Sequence, residues 1–171
     1  GTYIETNNES KKEYLEDISL FADVIAVRDS TFDLSELSAT AFPVPLINAM
    51  CGGDEHPLSA LCVAFSLYSF FGQLEGLKIG FYGMVSSSRP SKSYLNLLSR
   101  FNTELYIDSI TQDFMLPSNY ENRLQKNGAF VNKVKIKEVI SELDCLIIVE
   151  AIPQKGVRND IYLDYCKQYK P

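Results

Sequence analysis

The sequence predicts an α/β protein made of two half-domains, each a parallel sheet with helices on both faces (αβα). Three observations carry this. Short apolar runs such as DVIAVR, KIGFY and CLIIV alternate with stretches of helical period. Strands that alternate with helices pair in parallel and are covered on both sides. A break at residues 72–76, opened by Gly72 and closed by Gly76, divides the alternation into two sets, so that 1–72 and 73–171 are the expected domains.

Taken in order, residues 1–9 are polar and unpatterned. Ser10 is placed to cap a helix to about residue 22, with Tyr14, Leu15, Ile18 and Phe21 on one face. Residues 23–28 read as a short strand, and Ser30 or Thr31 as the cap of a short helix through Leu34 and Leu37. Residues 43–50 form the next strand. A long helix over 57–71 follows, with Pro57 at its first position, where a missing N–H costs nothing. That helix is apolar nearly all round, which calls for burial on most faces or a bridging position between domains. After the break come a strand at 77–82, a serine-rich loop at 83–90, a helix from Ser91 to about Phe101 and a strand at 104–108. A polar helix over 118–126 is closed by Asn127-Gly128. A strand at 131–134, a helix at 136–143, a strand at 144–150 and a helical tail at 161–169 complete the reading.

Composition narrows the function. The chain has 171 residues, enough for one full core or two small ones, and its apolar fraction of 46% is that of a globular protein. A net charge of −6 argues against a nucleic-acid surface. No uncharged apolar run reaches the roughly 18 residues of a membrane span, and no signal peptide opens the chain. Cys51, Cys62, Cys145 and Cys166 lack the spacing of a metal site or a disulfide framework, so buried, reduced thiols and a cytoplasmic setting are expected.

In open α/β sheets, ligands bind beyond the carboxyl ends of the strands. Arg28 ends one strand and the Gly52–His56 turn follows the next, with His56, the single histidine, at a helix N-terminus that favours an anion. A serine loop with Arg89 follows a third strand, and Glu150 ends a fourth. These four polar elements are expected to face one crevice between the half-domains. Arg28 alone would read as a surface arginine, and a lone histidine as a satisfied cap; set together behind strand ends they read as a site.

INAMCGGDEHPLSAL resembles the strand, Gly-rich turn and His-Pro-Thr-Gln helix of the aspartate and ornithine carbamoyltransferases. DVIAVRDS, GLKIGFYGMVSSSRPSKSYLNLLSRF and DCLIIVEAIPQKG resemble three further stretches of that family, in its order and spacing. Together they span most of the chain and lean to the aspartate branch. The resemblance implies two half-domains of carbamoyltransferase type, both incomplete. Residues 1–72 would be the later part of the carbamoyl-phosphate-binding domain and 73–171 the amino-acid-binding domain. It implies carbamoyl transfer from carbamoyl phosphate to an amino-acid acceptor, in pyrimidine biosynthesis or with another acceptor, without metal or cofactor. A homotrimer with shared sites is implied as well. Arg28 matches the arginine that contacts carbamoyl phosphate, His56 the histidine that polarises its carbonyl, and Arg89 an arginine that binds the acceptor's carboxylate.

The departures are equally specific. Ser59 stands where the family has glutamine, and Met50-Cys51 where its turn has Gly-Asp. Asn7 stands in place of a lysine that neighbouring subunits exchange, and Glu150 in place of the arginine that grips the aspartate side chain. A glutamate there repels aspartate and suits a cationic acceptor. The family's Ser-Thr-Arg-Thr-Arg and His-Pro-Leu-Pro-Arg segments belong before Gly1 and after Pro171. A non-catalytic paralogue that binds or assembles is the alternative these losses raise. A nucleotide-binding domain built on KIGFYG is weaker, having only Gly80 and Gly83 and no G-x-G-x-x-G.

Overall fold

The computed structural model describes residues 8–34, 37, 42–52, 55–109 and 111–149. Contacts divide the chain into two units, Gly1–Leu58 and Ser59–Pro171.

In the first unit, helix α1 (Asn8–Ser19) precedes two short strands, β1 (Ile25–Val27) and β2 (Leu46–Asn48), paired in parallel with Ile25 opposite Leu46 and Val27 opposite Asn48. Both strands are shorter than expected: three residues each carry the pairing. Leu15, Ile25 and Phe32 form the small core, with Ile18, Val27, Leu34, Val44 and Leu46 against it. Of the apolar face expected on α1, Leu15 is buried, but Tyr14 and Phe21 are exposed; the helix ends at Ser19, which releases Phe21 from its period. The short helix expected beyond Thr31 falls partly on residues outside those described.

The side chain of Lys11 fastens α1 to the turn after β1. Its ammonium lies 2.9 Å from an Asp29 carboxylate oxygen and donates to Thr31 Oγ1 at 2.7 Å. The Asp29 carboxyl is held below the usual carboxylate range, chiefly by the hydrogen bond from Lys11 and then by the Thr31 N–H. A depressed folded pKa contributes stability above the unfolded value, near pH 4, that is lost as pH falls through the folded value. The pair is only partly buried, with about a third of the Asp29 side chain open to solvent, so screening keeps the effect modest. Asp29→Asn is expected to lower stability by less than about 1 kcal/mol at pH 7 and by less at pH 2, measured by urea unfolding at both.

The second unit holds helix α2 (Pro57–Phe71, its first two residues lying in the first unit), strand β3 (Lys78–Tyr82), helix α3 (Arg89–Leu98), strand β4 (Glu104–Asp108), helix α4 (Ser118–Lys126), strand β5 (Phe130–Lys133), helix α5 (Ile136–Val139) and strand β6 (Cys145–Ile148). The four strands form an all-parallel sheet in the order β5-β4-β3-β6. Parallel strands need crossovers, and the intervening helices supply them. Ile79 and Phe81 are fully buried and face Leu105 and Ile107 in register; with them pack Ala64 and Leu67 of α2, Leu95 and Leu98 of α3 and Leu124 of α4. The alternate residue Gly80 faces the other way. A Cβ there would lie 2.6 Å from Leu143 and 3.2 Å from Ile136, so the segment after β5 covers the second face at close range. The expected three-layer arrangement is therefore present in this unit.

The extents of α2, β4 and α4 match the sequence reading. Helix α3 starts two residues earlier than expected, because Ser88 caps it and Pro90 fits its first turn. Helix α5 is a single turn continued by a 3-10 turn, Ile140–Glu142. Helix α2 departs from the burial expected of it. Only Ala60, Ala64 and Leu67 are buried, while Leu61, Phe65, Tyr68 and Phe70 are exposed. Cys62 lies on that open side, so it is not the buried thiol expected, whereas Cys51 is buried. The tail helix expected at 161–169, and Cys166 in it, lie outside the described residues. Among the described residues no helix is long and apolar enough to cross a membrane.

Candidate functional site

The first unit brings together the turns that follow β1 and β2. The Ala49 N–H donates to the Val27 carbonyl at 2.8 Å, which continues the strand pairing to the level of Arg28. The Gly52 N–H donates to the Asp29 carbonyl at 3.0 Å, and the Cys51 thiol donates to the Val27 carbonyl at 3.1 Å. Asn48 Oδ1 accepts from the N–H groups of both Met50 and Cys51, an Asx turn that reverses the chain as it leaves β2. Arg28, exposed at the end of β1, thus leaves the same edge of the strand pair as the segment that runs on to His56. His56 is half-buried immediately before Pro57, the first residue of α2. Gly53 and Asp54 of this turn lie outside the described residues.

Met50 carries the strain of the turn. Its φ is +90°, a left-handed conformation that an L side chain adopts only at a cost. The sequence marks the place, since Met50 stands where the related turn has glycine. Met50→Gly is expected to raise stability by about 0.5–1 kcal/mol, the relieved strain outweighing the added freedom of the unfolded chain. An unchanged or lower urea midpoint would contradict it.

The second unit carries Ser59 and Arg89. Ser59, in the first turn of α2, pairs its hydroxyl with that of Tyr94 on α3 at 2.7 Å. Arg89 is the first residue of α3 and is half-buried. The serines before it form a structured turn. The Ser87 hydroxyl donates to the Met84 carbonyl, and Ser88 Oγ accepts from the Ser91 N–H at the head of the helix. The turn is therefore a fixed platform for Arg89.

Strand order reverses between β3 and β6, and there the loops part. Gly83 leaves β3 with φ +126°, close against the Val149 carbonyl, while the Val149 N–H donates to the Tyr82 carbonyl at 2.8 Å. The serine platform and the segment leading to Glu150 both emerge at this edge. Glu150 and Asn7 themselves lie outside the described residues.

A second feature was not legible in the sequence. Asp108, at the end of β4, is buried and lines a cavity of about 590 Å³ with Gln112, Ser118, Lys133 and Lys135. Its two carboxylate oxygens accept from Lys135 Nζ at 3.2 Å and from the Ile136 N–H at 3.0 Å. The carboxylate thus pins the β5-to-α5 connection to the sheet, a structural duty. Asp108→Ala leaves the buried Ile136 N–H unpaired and is expected to cost about 2 kcal/mol in urea unfolding. Among the described residues no group of three or more His, Cys, Asp or Glu is arranged to hold a metal ion.

Comparison with known proteins gives one consistent family. No family model matches the chain. It is 28% identical over 151 residues to the aspartate carbamoyltransferase catalytic subunit of Pyrobaculum islandicum, covering 87% of this chain and 49% of that one. It is 32% identical over 108 residues to that of Leptospira biflexa, covering 63% and 34%. The fold overlays the catalytic subunit of M. jannaschii aspartate transcarbamoylase with a TM-score of 0.74 at 25% identity, over 92% of this chain and 52% of that one. Aspartate transcarbamoylase from Trypanosoma cruzi in complex with phosphate gives a TM-score of 0.71 at 21% identity, over 98% and 55%. The chain thus spans about half the length of the curated relatives it matches. Sequence and fold agree, across nearly the whole chain, that this protein is similar to about half of an aspartate carbamoyltransferase catalytic subunit.

Proposed function

We propose that this chain takes part in carbamoyl transfer from carbamoyl phosphate to the amine of an amino acid, of the aspartate type used in pyrimidine biosynthesis or with a related acceptor. The observation that carries the reading is the stitched pair of turns after β1 and β2, which present Arg28 and the His56 segment from one edge. In this reaction the amine nitrogen bonds to the carbonyl carbon, the bond from that carbon to the phosphate oxygen breaks, and inorganic phosphate leaves. Negative charge builds on the carbonyl oxygen and on the departing phosphate. Fixed donors lower such a barrier more than a strong base does.

The guanidinium of Arg28 suits the oxyanion and phosphate oxygens. The imidazole of His56 donates to the carbonyl oxygen, beside the unpaired N–H groups at the start of α2. Ser59 adds a hydroxyl in the same turn. Arg89, held on its capped helix, receives the acceptor's carboxylate. The family resemblance assigns Glu150 to the acceptor's side chain, where a carboxylate favours a cationic group over aspartate. The domain roles follow: residues 1–72 serve carbamoyl phosphate and 73–171 the amino acid. The working assembly in this proposal is a cytoplasmic homotrimer, in which the loop containing Asn7 reaches a neighbouring subunit.

The test is a thermal-shift titration of the purified chain, first with carbamoyl phosphate and then with N-(phosphonacetyl)-L-aspartic acid. Saturable stabilisation by carbamoyl phosphate supports the reading. Stabilisation by the first compound but not the second indicates another acceptor. Stabilisation by neither leaves the non-catalytic paralogue in its place. Glu150→Arg is expected to shift acceptor preference toward aspartate by at least ~10-fold, the scale of exchanging a repulsive charge for an attractive one. An unchanged preference would remove Glu150 from the site.

A further inference from the structure

We propose that Tyr94 is a positioning residue for the head of α2, acting through Ser59; this rests on the carbamoyl-transfer reading above. The two hydroxyls are 2.7 Å apart, although the residues are separated by 35 positions in the chain. Ser59 is the third residue of α2 and the first hydroxyl in it, three positions beyond His56. A serine side chain is short and turns freely about one bond, so alone it holds no fixed direction. Tyr94 removes that freedom. Its ring packs against the core of the second unit, and its hydroxyl meets Ser59 from α3, the helix that begins with Arg89.

The chemistry of the pair follows from counting protons. Two hydroxyls bring two protons, and one is spent between them. The pair therefore keeps one donor proton, with lone pairs in reserve, at the helix end where free N–H groups already favour an anion. Its tether also joins Ser59 of α2 to α3, the helix that presents Arg89, within the second unit. Phenylalanine at 94 would keep the packing and lose both effects.

The experiment measures the dissociation constant of carbamoyl phosphate by calorimetry for the full chain, Tyr94→Phe, Ser59→Ala and the double variant. Loss of one oriented hydrogen bond predicts a 5- to 10-fold weaker affinity for Tyr94→Phe, on the order of 1 kcal/mol. Ser59→Ala should lose a similar factor, and the double variant no more than the worse single, because the two residues act as one unit. A merely structural tie would lower the melting temperature of the unliganded variants and leave affinity within twofold, which overturns the proposal. Should Tyr94→Phe fail to fold, Ser59→Ala supplies the same comparison. If the unaltered chain binds no carbamoyl phosphate, the functional reading falls and takes this role with it. If the unaltered chain binds and the variants bind equally well, the role of Tyr94 alone falls.

Discussion

On the proposed carbamoyl-transfer reading, His56→Ala is expected to lower turnover about 10²- to 10³-fold, with a smaller loss in carbamoyl-phosphate binding. The imidazole is proposed to donate to an oxygen whose charge grows as the amine attacks, so its contribution is greater in the transition state than in the ground state. The backbone N–H groups at the head of α2 remain in the variant and keep part of the anion affinity. Arg28→Ala should behave differently. A guanidinium that grips phosphate holds both ground and transition states, so binding falls along with turnover. The measurement is the rate of N-carbamoyl product formed with a panel of amino acids. A His56→Ala chain within threefold of the parent would remove the imidazole from the chemistry.

Gly83→Ala is expected to cost about 3 kcal/mol, roughly 10 °C in melting temperature for a chain of this size. Two separate penalties add. At φ +126° the backbone lies where L side chains rarely go. A Cβ there would also lie 2.6 Å from the Val149 carbonyl oxygen, a backbone atom held by the Val149 N–H bond to Tyr82. The strand can yield only by breaking the β3–β6 pairing at its carboxyl end. Gly83 is further fixed by its N–H bond to the Asp108 carbonyl and by the Ser109 hydroxyl on its own carbonyl. Gly80→Ala meets flexible side-chain tips instead and should cost less, about 1–2 kcal/mol. Equal losses at both positions would show that backbone approach at Gly83 is not the controlling term.

The residues differ in how openly they declare themselves. Strand β4 and helices α2 and α4 are legible because each is bounded by local signals: a polar flank, Pro57, or Asn127-Gly128. The head of α3 lies two residues before the Ser91 start that the sequence suggests, because the extended backbone at Ser88 makes that serine the cap. Arg28, His56 and Arg89 are candidates from strand ends, and Ser59 is one from the family resemblance alone. Tyr94, Asp108 and Lys11 are candidates from neither, because their partners lie 35, 27 to 28, and 18 to 20 positions away and no local pattern announces such pairings.

By itself the sequence determined the alternation of elements, the parallel α/β class and the polar residues waiting at the ends of the strands. These follow from periodicity and turn chemistry, which act over a few residues. The tertiary structure alone decided the strand order that brings β3 beside β6, the single buried face of α2 and the bond between Ser59 and Tyr94. Those depend on which distant segments share a core, and burial there is settled by the packing of the whole sheet rather than by any stretch read alone.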